Sequence, residues 1–400
     1  MSIVAKHLSH VKASPSTSLS NLAFELESQG RDIIRMSAGE PDFNTPEHVK
    51  QAGIDAITRN DTKYPHLNGI MELREAICSK LKRENHLDYS SDQILVTNGG
   101  KQAIYNALVA SLDPGDEVII PSPYWVSYPD MVILNGGKPV IVETSVKDEF
   151  KLRAESLEAA ITPKTKWLIL NNPNNPSGAV MEAADLQALA EVLRAHPQIW
   201  VLTDDIYEHI LYDGVKFSTM AEVAPDLHSR TLTMNGFSKA YCMTGWRLGY
   251  AAAPKELISA MSKIQSQSTS GVSTISQWAG VAALAGDQSF IAANNARFLE
   301  RRDLALSIIN QCQGLHCDAP KGAFYLYIDC KELIGRKTPQ GKTIESDADF
   351  STYLLDTQGV AAVHGAAFGL SPFFRISYAT DDATIEAACI RIQSACGDLR

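Results

Sequence analysis

From about residue 92 the chain alternates short runs of β-branched and other apolar residues with longer mixed stretches. "QILVT" leads into "GGKQAIYNALVASL", "DEVIIP" into "YWVSYPDMVIL", "KPVIVET" into "RAESLEAAI", and "KWLIL" into "MEAADLQALAEVLRAHP", before "IWVLTDD" follows. Apolar runs of this kind read as strands, and the stretches between them as helices. The order predicts βαβ units and a mostly parallel sheet covered on both faces, an α/β fold. "TLTMNG" and "RLGYAAAP" lie too close together to enclose a helix, which predicts at least one antiparallel strand.

A long polar helix candidate, "SFIAANNARFLERRDLALSIINQC", separates this block from a second pattern: "GAFYLYID", "DADFSTYLLDTQG", "VAAVHG", "FRISYAT" and "TIEAACIRIQSAC". The second block mixes strands and helices and reads as a smaller α+β unit. We place a large domain at residues 46–296 and a small domain at 1–45 and 297–400. No low-complexity linker or internal repeat separates them.

Composition narrows the picture by exclusion. The 400 residues are 45% hydrophobic and 20% charged, ordinary for a globular protein. No run approaches the ~18 apolar residues of a membrane span, so no membrane partner is expected. A net charge of −10 argues against nucleic acid, which would want a basic face. The N-terminus "MSIVAKHLSHVKASPS" has no continuous apolar stretch of the kind a secretory signal needs. Seven cysteines form an odd set without a CxxC pair, which fits reduced thiols in a cytoplasm better than disulfides or zinc. The histidines show no HExxH spacing, and no metal is expected.

Four polar clusters directly follow predicted strands: "TNGGKQ", "NNPNNPSG", "TDDIY" and "GFSK". Ligands of open α/β sheets gather outside the carboxyl ends of the strands, so these clusters can share one site. "NGGKQAI" is either a tight turn or a phosphate seat at a helix start. Asp204 and Tyr207 are either a helix cap and a packed aromatic or a functional pair. Lys239 and Arg247 stand eight residues apart in "SKAYCMTGWRLGY", whose other residues predict an interior segment. Two buried cations need anionic partners. A desolvated lysine is also a usable amine nucleophile toward carbonyls, and arginine suits a phosphate. Pyridoxal phosphate would answer all three needs, with an aldehyde for Lys239, a phosphate for Arg247 and a ring nitrogen for Asp204.

With these stretches in view, the sequence resembles the class I aminotransferases of the pyridoxal-phosphate fold type I superfamily, and within them the bacterial aspartate/prephenate group. The likeness is carried in order by "SAGEPDFNTPEHV", "TKYPHLNGIMELREAI", "VTNGGKQAIYNAL", "PGDEVIIPSPYWVSYPDM", "NNPNNPSGAV", "TDDIYEHI", "NGFSKAYCMTGWRLGYA", "GAFYLY" and "FRISYAT". The resemblance implies that Lys239 holds the cofactor's aldehyde and later moves a proton as base and acid. It implies that Asp204 pairs with the ring nitrogen, that Asn175 and Tyr207 bond the 3′ oxygen, and that Trp125 stacks on the ring. Ser238, Arg247, Gly99, Gly100 and Lys101 would cradle the phosphate. Tyr64 would reach the phosphate of a neighbouring subunit, implying a homodimer with shared active sites. Arg375 would clamp the substrate α-carboxylate with help from the Gly39 backbone, and Trp125 and Asn175 would line the substrate side. Lys101 and Lys12 would meet the distal part of the substrate. The N-terminal "KASPSTSLS" departs from the family's "KPSAT"-like stretch at Ala13 and Pro15, which bears on lid closure and substrate preference.

The expected activity is exchange of an amino group between aspartate or glutamate and a 2-oxo acid, with prephenate as a further acceptor. An aromatic-amino-acid aminotransferase or a β-lyase on the same scaffold is the alternative. A non-catalytic ligand-sensing regulator is a rival of another class, disfavoured because "SAGEPDF" begins at residue 37 and the charge is acidic.

Overall fold

The structure is a computed structural model, and it describes residues 3–5, 8–9, 11 and 15–400. Strand β1 (Ile34–Arg35) precedes a central sheet of seven strands. These are β2 (Ile94–Thr97), β3 (Glu117–Ser122), β4 (Lys138–Glu143), β5 (Thr165–Asn171), β6 (Trp200–Asp204), β7 (Thr231–Gly236) and β8 (Gly249–Ala252). Their spatial order is β2-β8-β7-β6-β5-β3-β4. β8 runs antiparallel to both its neighbours, and the remaining pairings are parallel. This is the sheet the hydrophobic pattern predicts, including the antiparallel strand formed by "RLGYAAAP".

The central strands are apolar without alternation because both faces are covered. Leu95, Ile169, Leu202 and Met234 pack with the helices Gly100–Ser111 and Lys255–Ser268. Their chain neighbours face the other way. Leu168, Leu170 and Val201 pack on the helix Ala183–Ala195, while Ile94, Val96 and Tyr250 meet the helices Met71–Asn85 and Thr274–Ala285.

β9 (Tyr325–Asp329), β10 (Val360–Ala361), β11 (Val363–His364) and β12 (Phe373–Ser377) belong to the second block. β12 lies between β11 and β9, antiparallel to both. "VAAVHG", predicted as one strand, is split: β10 pairs in parallel with β1, and β11 joins the small sheet. A run that must serve two sheets cannot keep one register. The helix Ser289–Ile309 is continuous across position 297, and its polar residues have defined uses. Arg301 makes two bonds of 2.8 Å to Asp42, tying this helix to the "SAGEPDF" segment, and Arg302 pairs with Asp213. Met36, Tyr207, Ile210 and Tyr212 belong to the same apolar cluster as the helices Ser289–Ile309 and Asp382–Asp398, so the second block packs directly against the turn after β6.

Because β2, β5, β6 and β7 run the same way, the four polar clusters open at one rim of the sheet.

Candidate active site

A cavity of about 960 Å³ lies at this rim, between the central sheet, the small sheet and the helix Pro15–Ser28. The loop after β7 places Lys239 in it, mostly buried, with its ammonium donating to the Gly39 carbonyl and lying 5.7 Å from the Tyr207 ring centroid. Burial, the Arg375 charge and the Arg247 charge bring the Lys239 pKa down to about 8, against the pull of Glu40 and Asp204.

Asp204 ends β6 and is 4% exposed, with no cation in ion-pair contact among the described residues. Its Oδ2 accepts a 2.5 Å hydrogen bond from the Tyr128 hydroxyl, and its Oδ1 has only a long 3.4 Å contact with the Ile206 amide. Burial pushes its pKa up to about 6.

Arg375, from β12, is 3% exposed. One guanidinium nitrogen donates to Asn175 Oδ1 at 2.9 Å and another to the Ser37 carbonyl at 2.6 Å, while Nε is buried without a partner. The Tyr325 and Phe368 rings lie beside the guanidinium, with their centroids at 4.4 and 5.0 Å. No carboxylate neutralises it among the described residues. Tyr207 shares a 2.8 Å hydroxyl contact with Tyr325, so β9 and the turn after β6 meet at the cavity floor.

At the other end the chain turns from β2 into the helix Gly100–Ser111. Gly99 has φ +81°, and a Cβ there would come within 2.4 Å of the Arg247 guanidinium. A Cβ on Gly249 would lie 2.5 Å from the Gly100 amide nitrogen. Both positions therefore require glycine for the backbone and Arg247 to come together. Among the described residues, Arg247 donates only to carbonyls, of Thr244 at 2.9 Å and Asn98 at 3.4 Å. Lys101 stands at the mouth with its ammonium 4.8 Å from the Trp125 ring, and Ser238 is 9% exposed beside Lys239. Trp125 is free to line the cavity because the predicted helix "YWVSYPDMVIL" begins only at Tyr128, with Pro129 in its first turn.

The structure brings together Gly39, Gly100, Lys101, Trp125, Asn175, Asp204, Tyr207, Ser238, Lys239, Arg247 and Arg375, with Gly99 behind Arg247. Tyr64 stands apart, outside the cavity of its own chain and 94% exposed. Lys12, Ala13 and Ser14 lie outside the described residues, and Pro15 is the first residue of the helix Pro15–Ser28. The expectation that "SKAYCMTGWRLGY" runs inward is corrected at two positions: Gly245 and Arg247 are exposed, and Arg247 has φ +53° that turns the chain at the cavity mouth. Sequence reasoning missed Tyr128 and Tyr325, although both lie in quoted stretches, because nothing local tells a packed aromatic from one that bonds a functional group. It also missed Arg35, which lines the outer cavity, pairs with Glu27 at 3.1 Å and stacks over Phe24 at 4.2 Å.

The cavity thus holds a lysine disfavoured as a cation, a carboxylate without a cation and an arginine without an anion. The donor set fits pyridoxal phosphate, whose ring nitrogen, aldehyde and phosphate match Asp204, Lys239 and the Gly99–Lys101 turn with Arg247. For a metal, the one cluster with ligand spacing among the described residues is Glu84, Glu208 and His209. Lys80 already pairs with both of its carboxylates.

A profile for aminotransferase class I and II matches residues 31–392. The chain belongs to this family. It is 56% identical to a probable aspartate/prephenate aminotransferase of Rhizobium leguminosarum bv. phaseoli over 99% of both chains. It is 54% identical to an aspartate/prephenate aminotransferase of Cereibacter sphaeroides over the full length of both. The crystal structure of the aspartate aminotransferase from Rhizobium meliloti superposes with a TM-score of 0.97 at 52% identity, covering 100% of each chain. As in the sequence reading, the fold of this class I/II aminotransferase is a mostly parallel mixed sheet covered by helices.

The charges of the aminotransferase cavity make a prediction for the protein without cofactor. Lys239 has a folded pKa near 8 against 10.5 for an ordinary lysine, so between those values the unfolded chain carries the extra proton and stability rises with pH. Asp204 has a folded pKa near 6 against 3.8, so between those values the folded chain carries the extra proton and stability falls as pH rises. At pH 7 both costs are present. The apoprotein of Lys239→Met should be more stable than wild type at pH 7 by on the order of 2 kcal/mol, with the gap closing above pH 8. Urea unfolding of the two apoproteins measures this, and an equal or less stable variant at pH 7 would contradict it.

Proposed function

We propose that this aminotransferase uses pyridoxal phosphate to exchange the amino group between L-aspartate or L-glutamate and a 2-oxo acid, with prephenate among the acceptors. The observation that carries the reading is the opposition, across one cavity, of Lys239 with its lowered pKa to a buried Asp204 that makes no ion pair among the described residues. When bound, the cofactor supplies an aldehyde that takes up the amino group and a ring that accepts the electron pair left on Cα.

The chain's own residues do the rest. Asp204 holds the ring nitrogen protonated, while Asn175 and Tyr207 bond the 3′ oxygen and Trp125 covers the ring. Gly99, Gly100, Lys101, Ser238 and Arg247 receive the phosphate. Arg375 and the Gly39 backbone hold the α-carboxylate, which fixes Cα within reach of Lys239. With a pKa near 8, Lys239 is poised to take the Cα proton as a base and to return one as an acid. Lys101 and Lys12 receive the distal carboxylate. Tyr64, so exposed on its own chain, completes the site of a second copy in a homodimer. Residues 46–296 form the large domain, and 1–45 with 297–400 the small one.

The reading is tested by adding L-aspartate to the pyridoxal-phosphate-loaded protein and following the absorbance. Stoichiometric conversion of the cofactor to its amine form, reversed by oxaloacetate, 2-oxoglutarate or prephenate, is the expected result. Release of pyruvate and ammonia without an acceptor would instead mark a β-lyase, and response to aromatic amino acids alone would mark an aromatic aminotransferase.

A further inference from the structure

Asp204 is a buried carboxylate whose nearest charge-stabilising contact comes from a residue far away in the chain. Tyr128 is 2% exposed, and its hydroxyl donates to Asp204 Oδ2 at 2.5 Å. The ring cannot swing away. Met131, Ile120 and Ile169 pack in the same apolar cluster, and the Trp125 ring meets it edge-on at 5.3 Å. A phenol held in this way satisfies one carboxylate oxygen and leaves Oδ1 as the oxygen open to a further donor.

We propose that Tyr128 is a positioning residue for Asp204, holding its carboxylate in the ionised state and in one orientation so that Oδ1 can accept from the cofactor's ring nitrogen. The inference rests on the pyridoxal-phosphate reading above for the role of Asp204. It adds a residue that acts through Asp204 without touching substrate.

The electrostatics agree with the geometry. Burial drives the Asp204 pKa upward, and the Tyr128 hydrogen bond is the strongest influence opposing it, ahead of the Ile206 amide and the Lys239 charge. The other ionisable groups facing Asp204 do not substitute for Tyr128. Tyr207 and Asp205 are both pushed well up from their ordinary values by burial, and the Tyr207 hydroxyl is engaged with Tyr325. Tyr128 itself is pushed up by burial and by the neighbouring Asp204 charge, so it remains a protonated donor wherever Asp204 ionises. A hydrogen bond from a neutral donor to a carboxylate is charge-assisted and favours the anion.

The test is Tyr128→Phe, which keeps the ring and removes the hydroxyl. In the apoprotein, infrared titration of the Asp204 carboxyl band, assigned by its loss in Asp204→Asn, should move up by roughly one to two pH units. Pyridoxal phosphate affinity at pH 7 should fall by roughly tenfold to a hundredfold. In turnover, kcat should fall while KM for the amino acid changes little. A fluorinated tyrosine installed at position 128 is a stronger donor and should move the band the other way, a result that a loss of packing could not produce. Unchanged Asp204 titration and cofactor affinity in a folded Tyr128→Phe protein would overturn the proposal. So would a fluorinated residue that shifts the band in the same direction as Phe. Should wild-type protein take up no pyridoxal phosphate, the functional reading fails on its own, while the apoprotein titration still decides whether Tyr128 controls Asp204.

Discussion

Lys239→Ala is expected to lower kcat for amino transfer by roughly 10⁴-fold or more, because general acid–base catalysis alone contributes up to about that factor and the proposed function also gives this amine the cofactor's aldehyde to hold. The rest of the cavity is left in place: Asp204 bonds Tyr128, Arg375 bonds Asn175 and Ser37, and Arg247 bonds the carbonyls of Thr244 and Asn98, none of them through Lys239. Cofactor and substrate should therefore still bind, and the loss should fall on the proton-transfer step. A coupled assay with aspartate and 2-oxoglutarate measures it, and survival of more than about 1% of kcat would remove Lys239 from the mechanism.

Arg375→Lys should lower kcat/KM by roughly 10²- to 10³-fold despite conserving charge. The guanidinium reaches Asn175 and the Ser37 carbonyl with two different nitrogens and has Nε to spare, whereas one ammonium cannot span these positions. The planar fork that can meet a carboxylate with paired hydrogen bonds is lost with it. Since every amino acid and 2-oxo acid substrate carries the α-carboxylate, KM should rise for donors and acceptors alike. A loss confined to dicarboxylic substrates would instead assign Arg375 to the distal end.

Much of this site was legible in the sequence because its residues sit at strand ends. The runs before "TNGGKQ", "NNPNNPSG", "TDDIY" and "GFSK" are apolar enough to be strands of a covered sheet, and parallel strands put their carboxyl ends on one rim. What each side chain does once there was less legible. Arg247 looked like a buried cation because its neighbours are apolar, yet its left-handed backbone turns it outward to the cavity mouth. "VAAVHG" looked like one strand because periodicity does not say how many sheets a run will serve.

The order of apolar runs and turn residues determined the parallel sheet, the shared rim and the pair Lys239 and Arg247 that could meet an anionic carbonyl compound, whereas Arg375 came from the family resemblance. Those features depend on local spacing, and local spacing is written in the chain. Tertiary structure alone decided that Tyr128 bonds Asp204 across 76 residues, that Tyr325 bonds Tyr207 across 118, and that Arg375 bonds Asn175 across 200. Contacts between residues so far apart are fixed by how helices and sheets pack, and the same packing desolvates Lys239 and Asp204 enough to shift their pKa values toward neutrality.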